Sequence, residues 1–312
     1  MELSIVIPAY NAGKSIKRTI LSIKDSIIHC SCTSGMVEVI VVDDGSTDDT
    51  ELVIKGIIDK EIFPVKYMKQ ENQGVSVARN NGLKEACGEY VYFMDADDCI
   101  DTSFFSILLP CLKNKYQVVF FGYIKKTEKK FYNRLIPQRI VKDLLLDYLK
   151  GKVKIGIWSF VAQKRVYSDN GISFKKGISY GEDIEVVVNM LLNTENVICL
   201  KECLYIYDMT NPDSAMNRVK FNTKTVTSIK AMEFLLEDCK RKNSSRSIIK
   251  GAKNRLLTEY YVQKKALLST QDKTLEYIIK PYTYIEHIVP PFQFSKFYLF
   301  NLYNYIRCRF QY

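Results

Sequence analysis

Three carboxylates follow a short apolar run near position 95. Residues 90–94 (YVYFM) contain no polar break, and Asp95, Asp97 and Asp98 come directly after them. An unbroken apolar run of this length predicts a strand buried on both faces. Carboxylates this close raise one another's pKa unless a cation lies among them, and hard oxygen ligands suit Mg²⁺ or Mn²⁺. The pattern indicates either a divalent-metal site at a strand end or a solvated acidic turn.

A second acidic pair, Glu182 and Asp183, precedes a helical pattern with apolar residues at Val186, Val187 and Met190. Acidic side chains are favoured at the N-terminus of a helix by the helix dipole. Taken by itself, this pair indicates helix capping.

The elements that position these acids alternate along the first hundred residues. Apolar runs predict strands at residues 3–8, 37–42, 65–68 and 90–94, and helical spacing of apolar residues predicts helices between them. The alternation predicts an α/β fold with a doubly wound, mostly parallel sheet and a polar crevice at its strand ends. No Gly-x-Gly-x-x-Gly and no P-loop follow the first strand, so the phosphates of a nucleotide would need a metal ion.

The net charge of +10 is concentrated in the last third of the chain. From residue 215 onward there are 18 Lys and Arg against 7 Asp and Glu, whereas the rest carries 27 against 28. This excess suggests an anionic partner for the C-terminal region. The nine cysteines form no paired framework, which favours free thiols in a reducing compartment. Because the chain has two histidines, a zinc site is not expected.

Four motifs occur in a fixed order: SIVIPAYN from Ser4, VVDDGSTD from Val41, GVSVARN from Gly74 and MDADD from Met94. Together they resemble the family 2 glycosyltransferases of GT-A fold, tightly over residues 1–110 and more loosely to residue 216. The resemblance implies a GT-A domain at residues 1–216, with a nucleotide-binding half at 1–110 and an acceptor half at 111–216. A basic, aromatic-rich, α-helical C-terminal region would follow at 217–312.

Carried over position by position, the resemblance assigns donor binding to the ends of three strands and to one helix start. Tyr10 would stack on uracil, and Asp44 would accept a hydrogen bond from the ring N–H. Arg79 would either neutralise a phosphate or brace the acidic cluster. The complete donor-binding set is Pro8, Ala9, Tyr10, Asp44, Gly74, Arg79, Asp95 and Ala96.

The resemblance also implies a metal site and a general base. Asp95 and Asp97 of the DxD motif would hold Mn²⁺ or Mg²⁺ against the donor diphosphate. Asp183 would take the proton of the acceptor hydroxyl, with Glu182 orienting it, in a single displacement with inversion. Trp158 would lie near the acceptor, although a lone tryptophan is also typical of core packing.

The function implied is non-processive transfer of one sugar from a nucleotide-diphosphate sugar, UDP-linked, to a free or lipid-linked glycan acceptor. Assembly of O-antigen, capsule or another surface polysaccharide would be its setting. Two alternatives stay open. A basic nucleic-acid-binding protein would leave Asp95, Asp97 and Asp183 unexplained, so no nucleic-acid partner is expected. A nucleotidyltransferase should carry a glycine-rich basic loop after its first strand, which this chain lacks.

The tail at residues 290–312 is dense in aromatic residues with cationic flanks. Such a segment suits either an anionic membrane interface or packing on the protein itself. The sequence contains neither a signal-peptide pattern nor an apolar stretch of membrane-spanning length. We therefore expect a cytoplasmic protein at the inner face of the cell membrane.

Overall fold

The computed structural model describes residues 1–30, 34–58, 64–210, 222, 225–270 and 276–287, and it has the predicted α/β alternation. The strands are β1 Leu3–Ala9, β2 Val37–Asp43, β3 Val65–Lys69, β4 Tyr90–Phe93, β5 Cys99–Ile100, β6 Val118–Lys126, β7 Phe131–Arg134, β8 Phe160–Gln163 and β9 Val197–Asp208. The α-helices are α1 Ile16–His29, α2 Thr50–Ile58, α3 Val75–Glu85, α4 Phe104–Lys113, α5 Val141–Leu149, α6 Lys164–Asp169, α7 Glu182–Leu192, α8 Thr227–Arg241, α9 Arg246–Thr270 and α10 Glu276–Ile279.

Within the described residues the strands form one sheet in the order β3-β2-β1-β4-β8-β6-β9-β5, with β7 paired to β6. Strands β3, β2, β1 and β4 are parallel neighbours, as predicted. Strand β8 runs antiparallel to both β4 and β6, and β9 is again parallel to β6. Because β1, β2 and β4 are parallel, their carboxyl ends lie at one edge of the sheet, where open α/β sheets bind ligands.

Successive side chains of the parallel strands enter two cores on opposite faces of the sheet. On one face, Ile5 and Val39 belong to a buried cluster with α1, α2 and α4. On the other face, Val6, Val42 and Phe93 belong to a buried cluster that includes α3, α5 and α7. Both faces are covered, which is why β1, β2 and β4 are apolar at most positions.

The helices after residue 225 share the second of these cores. Ile229 of α8 and Leu256 of α9 lie in the same buried cluster as Val186 and Val187 of α7. This part of the basic C-terminal region therefore packs on α5 and α7, while the domain boundary near residue 216 stays a prediction. The predicted tail contact at 290–312 lies outside the described residues. Among the residues that the structure describes, no helix is both long and apolar enough to cross a bilayer.

The cysteine prediction needs one correction. Cys30 is disulfide-bonded, whereas the prediction favoured free thiols over a disulfide framework. The prediction rested on the lack of a paired framework along the chain, which does not exclude a single bond. The free thiols among the described residues are Cys87, Cys99, Cys111, Cys199, Cys203 and Cys239.

Candidate active site

The loops after β1 and β2 are tied to each other. The backbone N–H of Asn11 donates to Ser46 Oγ at 2.9 Å, and the N–H of Thr47 donates to Asn11 Oδ1 at 2.9 Å. Next to this tie, Tyr10 is 53% exposed. Its ring is therefore accessible for the predicted stacking on a base.

The buried carboxylate of Asp43 shapes the turn after β2. It accepts hydrogen bonds from Tyr67 Oη at 2.7 Å and from the backbone N–H of Ser46 at 2.7 Å. Pro8 and Ala9 end β1 beside it, and Ala9 pairs with Asp43 in the sheet. Both residues are buried, so any donor contact at this point would be made by their backbone.

Asp44 ties the same turn to the start of α3. Its carboxylate accepts hydrogen bonds from Gln70 Nε2 at 2.7 Å and from the backbone N–H groups of Gln73 and Gly74, each at 2.8 Å. A carboxylate can accept about four hydrogen bonds, so Asp44 retains capacity for one ring N–H. Its contact with a base stays a prediction.

Asp98, the third acid after β4, is structural. It is buried and accepts hydrogen bonds from Tyr205 Oη at 2.5 Å and from the backbone N–H of Asp208 at 2.7 Å. Burial, followed by the charges of Asp95 and Asp97, raises the pKa of Asp98 well above its ordinary value. The residue therefore anchors the acidic loop to β9.

We expect Tyr205→Phe to lower the free energy of unfolding by about 1–3 kcal/mol, because buried Asp98 loses a hydrogen-bond donor. Urea denaturation at pH 7 measures the change. The matched control is Tyr132→Phe, since Tyr132 is 42% exposed and should tolerate the loss of its hydroxyl. Equal changes in the two variants would contradict the anchoring role.

Helix α1 holds the backbone of the same loop. Arg18 donates from Nη2 to the carbonyl oxygen of Asp97 at 2.7 Å and from Nη1 to Asp208 Oδ2 at 2.7 Å. Thr19 Oγ1 donates to the carbonyl oxygen of Ala96 at 2.9 Å. These contacts fix the loop through its backbone, and the side chain of Asp97 stays partly exposed.

The buried Arg79 links two acidic centres, namely Asp95 and Asp97 after β4 and Glu182 and Asp183 at the start of α7. Arg79 donates from Nη2 to Asp95 Oδ1 at 2.9 Å and from Nη1 to Glu182 Oε1 at 2.7 Å, with its side chain 5% exposed. The ring centroid of Phe174 lies 5.3 Å from its Cζ. Burial alone would lower the pKa of Arg79, but the charges of Asp95 and Glu182 raise it above its ordinary value. Arg79 thus contacts one acid after β4 and one acid of α7, and its contact with a donor phosphate stays a prediction.

Other side chains of α3 hold the segment that leads into α7. Ser76 Oγ donates to the carbonyl oxygen of Ile178 at 3.1 Å. Asn80 donates from Nδ2 to the carbonyl oxygen of Phe174 at 2.7 Å and accepts from the N–H of that residue at 2.9 Å. Helix α3, which carries the GVSVARN motif, therefore holds the segment that leads to Glu182 and Asp183.

Asp183 lies in the first turn of α7, partly buried, next to Glu182. Its pKa is raised to about 7, mainly by burial and also by the charges of Glu182 and Asp95, against the opposing charges of Arg79 and Arg255. A carboxyl group that titrates near neutral pH is suited to act as a general base.

Two residues near Asp183 were missed by the sequence analysis. Arg255 of α9 has its Cζ 5.4 Å from the ring centroid of Tyr148, which is buried in α5. Burial, followed by the charge of Asp183, raises the pKa of the Tyr148 hydroxyl. Arg255 Nε is buried and has no hydrogen-bond partner among the described residues. In the sequence, Arg255 is one of many cations on a basic helix, so no local signal separates it from its neighbours.

Trp158 belongs to an aromatic stack. Its ring is parallel to Tyr205 at a centroid distance of 4.6 Å and to Tyr207 at 5.6 Å. Tyr123 meets it edge-on at 4.6 Å. Packing accounts for these contacts, and the acceptor role of Trp158 stays a prediction.

The carboxylate oxygens of Asp95 and Asp97 would suit a metal ion whose remaining ligands come from the substrate and from water. The described part of the chain holds no group of three or more His, Cys, Asp and Glu side chains placed to hold a metal ion. Mg²⁺ is commonly held by one or two carboxylates together with substrate phosphates and water. Asp95 and Asp97 are two partly exposed carboxylates at a strand end, which is the protein share of such a site.

The profile described as Glycosyl transferase family 2 matches residues 4–171, more than half of the chain, so the chain belongs to this family. It is 26% identical over 221 residues to the glycosyltransferase EpsJ of Bacillus subtilis, covering 68% of this chain and 62% of EpsJ. It is also 26% identical over 230 residues to the poly(ribitol-phosphate) beta-N-acetylglucosaminyltransferase TarP of Staphylococcus aureus, covering 72% of this chain and 67% of TarP. The chain thus spans less than two thirds of the length of EpsJ.

Among solved structures, that of S. aureus TarS residues 1–349 in complex with UDP-GlcNAc aligns with a TM-score of 0.74. The alignment covers 93% of this chain and 82% of that one at 17% identity. The family and the GT-A fold predicted from the four motifs are thereby confirmed, and the relatives are of the bacterial surface-polysaccharide type.

Proposed function

We propose that this chain is an inverting, non-processive glycosyltransferase that moves one sugar from a UDP-sugar to a hydroxyl of a free or lipid-linked glycan. The observation that carries the proposal is the Arg79 bridge, because one side chain contacts both Asp95 of the DxD motif and Glu182 beside Asp183. A donor diphosphate at Asp95 and Asp97 would then lie close to an acceptor hydroxyl at Asp183, at the edge of the sheet where the parallel strands end. The complex of TarS with UDP-GlcNAc and the poly(ribitol-phosphate) acceptor named for TarP support a uridine donor and a surface-polymer acceptor.

The donor would lie across the ends of β1, β2 and β4. Tyr10 offers an accessible ring for the base, and Asp44 has capacity to accept its ring N–H. Pro8, Ala9, Gly74 and Ala96 supply backbone close to this path. The two loop ties and the buried anchor at Asp98 keep these parts in place before the donor arrives, which reduces the entropy lost on binding.

Asp95 and Asp97 would hold Mn²⁺ or Mg²⁺. When bound, the ion supplies charge stabilisation for the departing diphosphate. Arg79 engages Oδ1 of Asp95 and so fixes the orientation of that carboxylate.

Asp183 would act on the acceptor. The acceptor oxygen forms a bond to the anomeric carbon on the face opposite the diphosphate, the bond to the diphosphate oxygen breaks, and that oxygen keeps the electron pair. The proton of the acceptor hydroxyl passes to the carboxylate of Asp183. Attack from the opposite face inverts the configuration at the anomeric carbon. Glu182, fixed by Arg79, holds the start of α7 in place.

A screen of nucleotide sugars for slow hydrolysis in the presence of Mn²⁺ tests the donor. We expect one UDP-sugar to be hydrolysed, and Asp97→Ala to reduce that rate by at least about a hundred-fold through loss of electrostatic stabilisation. Release of UDP measures both.

Asp101→Ala is the matched control, because Asp101 is a nearby acid whose Oδ1 accepts hydrogen bonds from its neighbour Ser103. If Asp97→Ala hydrolysed the donor as fast as the parent, the metal assignment would be wrong. A parallel assay with nucleoside triphosphates and sugar 1-phosphates tests the nucleotidyltransferase alternative, since such an enzyme would release pyrophosphate from that mixture.

We further propose that the protein works in the cytoplasm at the inner face of the membrane, where lipid-linked acceptors are found. Aromatic side chains at headgroup depth with cationic flanks would give the tail at 290–312 a peripheral role.

A further inference from the structure

The hairpin formed by β6 and β7, together with the segment that leads from β7 to α5, carries four exposed apolar side chains. Phe131 is 68% exposed, Tyr132 42%, Leu135 56% and Ile140 69%. All four residues of β7 are exposed, so neither face of this strand is covered. Exposed large apolar side chains are ordinary when scattered, but four of them within residues 131–140 point to an interaction surface. These four residues, with the cations described next, are here called the hairpin surface.

The same segment is strongly basic. Between residues 125 and 142 there are seven Lys and Arg against one Glu. Lys129 and Lys130 lie in the exposed turn, which Thr127 closes by accepting and donating hydrogen bonds to the backbone of Lys130. Arg134 has its Cζ 5.9 Å from the ring centroid of Tyr132. The hairpin surface thus combines aromatic and aliphatic side chains with a surplus of positive charge.

The hairpin begins at the rim of the candidate active site. Lys126, the last residue of β6, donates from Nζ to Asp208 Oδ2 at 3.1 Å. The same Oδ2 accepts from Arg18, which also holds the carbonyl oxygen of Asp97. Whatever binds the hairpin surface is therefore held next to the DxD loop.

We propose that the hairpin surface docks on an anionic lipid bilayer. Aromatic rings are favoured at headgroup depth, aliphatic side chains gain by entering the acyl boundary, and Lys and Arg are attracted to anionic headgroups. A protein partner of equal charge complementarity would need an acidic face, whereas a bilayer supplies negative charge next to apolar chains everywhere. Docking would set the crevice against the membrane, within reach of a lipid-linked acceptor. The inference concerns binding alone and holds whether or not the sugar-transfer chemistry is as proposed.

The test is cosedimentation of the full chain with vesicles of phosphatidylcholine and with vesicles that also contain phosphatidylglycerol. We expect the parent to bind the anionic vesicles and not the neutral ones. Lys129→Gln with Lys130→Gln should weaken binding by about thirty-fold, from the usual contribution of a cation near an anionic surface. Phe131→Ser with Ile140→Ser should weaken it by at least about ten-fold.

The matched control is Ile28→Ser with Leu52→Ser, which removes similar apolar exposure from α1 and α2. This control should bind as the parent does. Because the hairpin variants alter no residue of the proposed machinery, UDP-sugar hydrolysis and the melting temperature should match the parent. Each affinity ratio is measured in the full chain, so a contribution of the tail at 290–312 is common to all variants.

Unchanged vesicle binding in both hairpin variants would overturn the proposal, as would equal binding to neutral vesicles. A dimer in solution that the same variants dissociate, without any vesicle binding, would assign the surface to a second copy of this chain instead. If the parent bound the anionic vesicles but hydrolysed no UDP-sugar, that result would count against the proposed function and would not affect the proposal about the hairpin surface.

Discussion

Asp183→Asn should reduce sugar transfer and donor hydrolysis by about a thousand-fold, within the range of general-base contributions. The amide keeps the shape of the side chain but accepts no proton from a hydroxyl at neutral pH. The donor-binding groups lie on other elements, so the dissociation constant for UDP should change little. Release of UDP and calorimetric binding of UDP measure the two quantities.

The pH dependence gives a sharper test of the same residue. A base must be ionised to act, and the pKa of Asp183 is raised to about 7. The rate of the parent should therefore rise as pH increases through about 7 and then level off, and this rise should be absent in Asp183→Asn. Substitution of Glu195, an exposed acid in the loop between α7 and β9, by Gln should leave the profile unchanged. A profile that keeps its rise in Asp183→Asn would exclude Asp183 as the base.

Stability should move in the opposite direction to activity. A carboxyl whose pKa is higher in the folded than in the unfolded state binds more protons when folded between those two values. Its contribution therefore becomes less favourable as pH rises from about 4 to 7 and stays unfavourable above. Asp183→Asn removes that penalty, so urea denaturation at pH 8 should give a higher free energy of unfolding than the parent.

Arg79→Met should cost about 3–5 kcal/mol of stability, since breaking a buried ion pair leaves charges without a partner. The side chains of Arg79, Asp95 and Glu182 are 5%, 30% and 12% exposed, so water replaces the lost donor poorly. Activity should fall as well, because Asp95 and Glu182 both lose the contact that orients them. Urea denaturation at pH 7 and UDP release provide the two measurements.

Two comparisons isolate the buried bridge from ordinary charge loss. Lys66→Met removes an ion pair to Glu85 in which the side chains are 49% and 37% exposed, and it should cost at most about 1 kcal/mol. Adding Glu182→Gln to Arg79→Met should recover part of the lost stability, because one uncompensated carboxylate is gone. The proposed bridge is contradicted if Arg79→Met costs no more than Lys66→Met.

The pH profile should also respond to Arg79. Its positive charge lowers the pKa of Asp183, against the effect of burial. In Arg79→Met the rise in rate should move to higher pH, whereas a role confined to packing would leave its midpoint in place.

The sequence predicted the parallel half of the sheet because each strand is a short, unbroken apolar run between helical patterns. It also predicted that the acids after β2 and β4 lie at one edge, since the ends of parallel strands do so by geometry. The hydrogen bonds of Asp43 with Tyr67 and of Asp98 with Tyr205 could not be predicted. Each tyrosine is distant in sequence from its acid, and no local pattern indicates the pairing.

The link between the two acidic centres could not be read from the sequence. Arg79 and Glu182 are 103 positions apart, and neither residue type indicates the other. Arg255 comes from a helix outside the matched family region and looks like any cation on a basic face. Charge counted over whole thirds of the chain also concealed the basic hairpin, because acidic residues elsewhere in the first two thirds balance it.

The Arg79 bridge has a consequence for exchanging parts between relatives. A chimaera that takes residues 1–110 from this chain and the remainder from a relative would separate Arg79 from the Glu182 with which it pairs. Such a hybrid would keep both sets of acids, yet their relative placement would depend on a partner inherited from the other parent. Exchanges that replace the region around α7 should therefore carry α3 and the start of α7 as one unit, and leave the rest of residues 1–110 untouched.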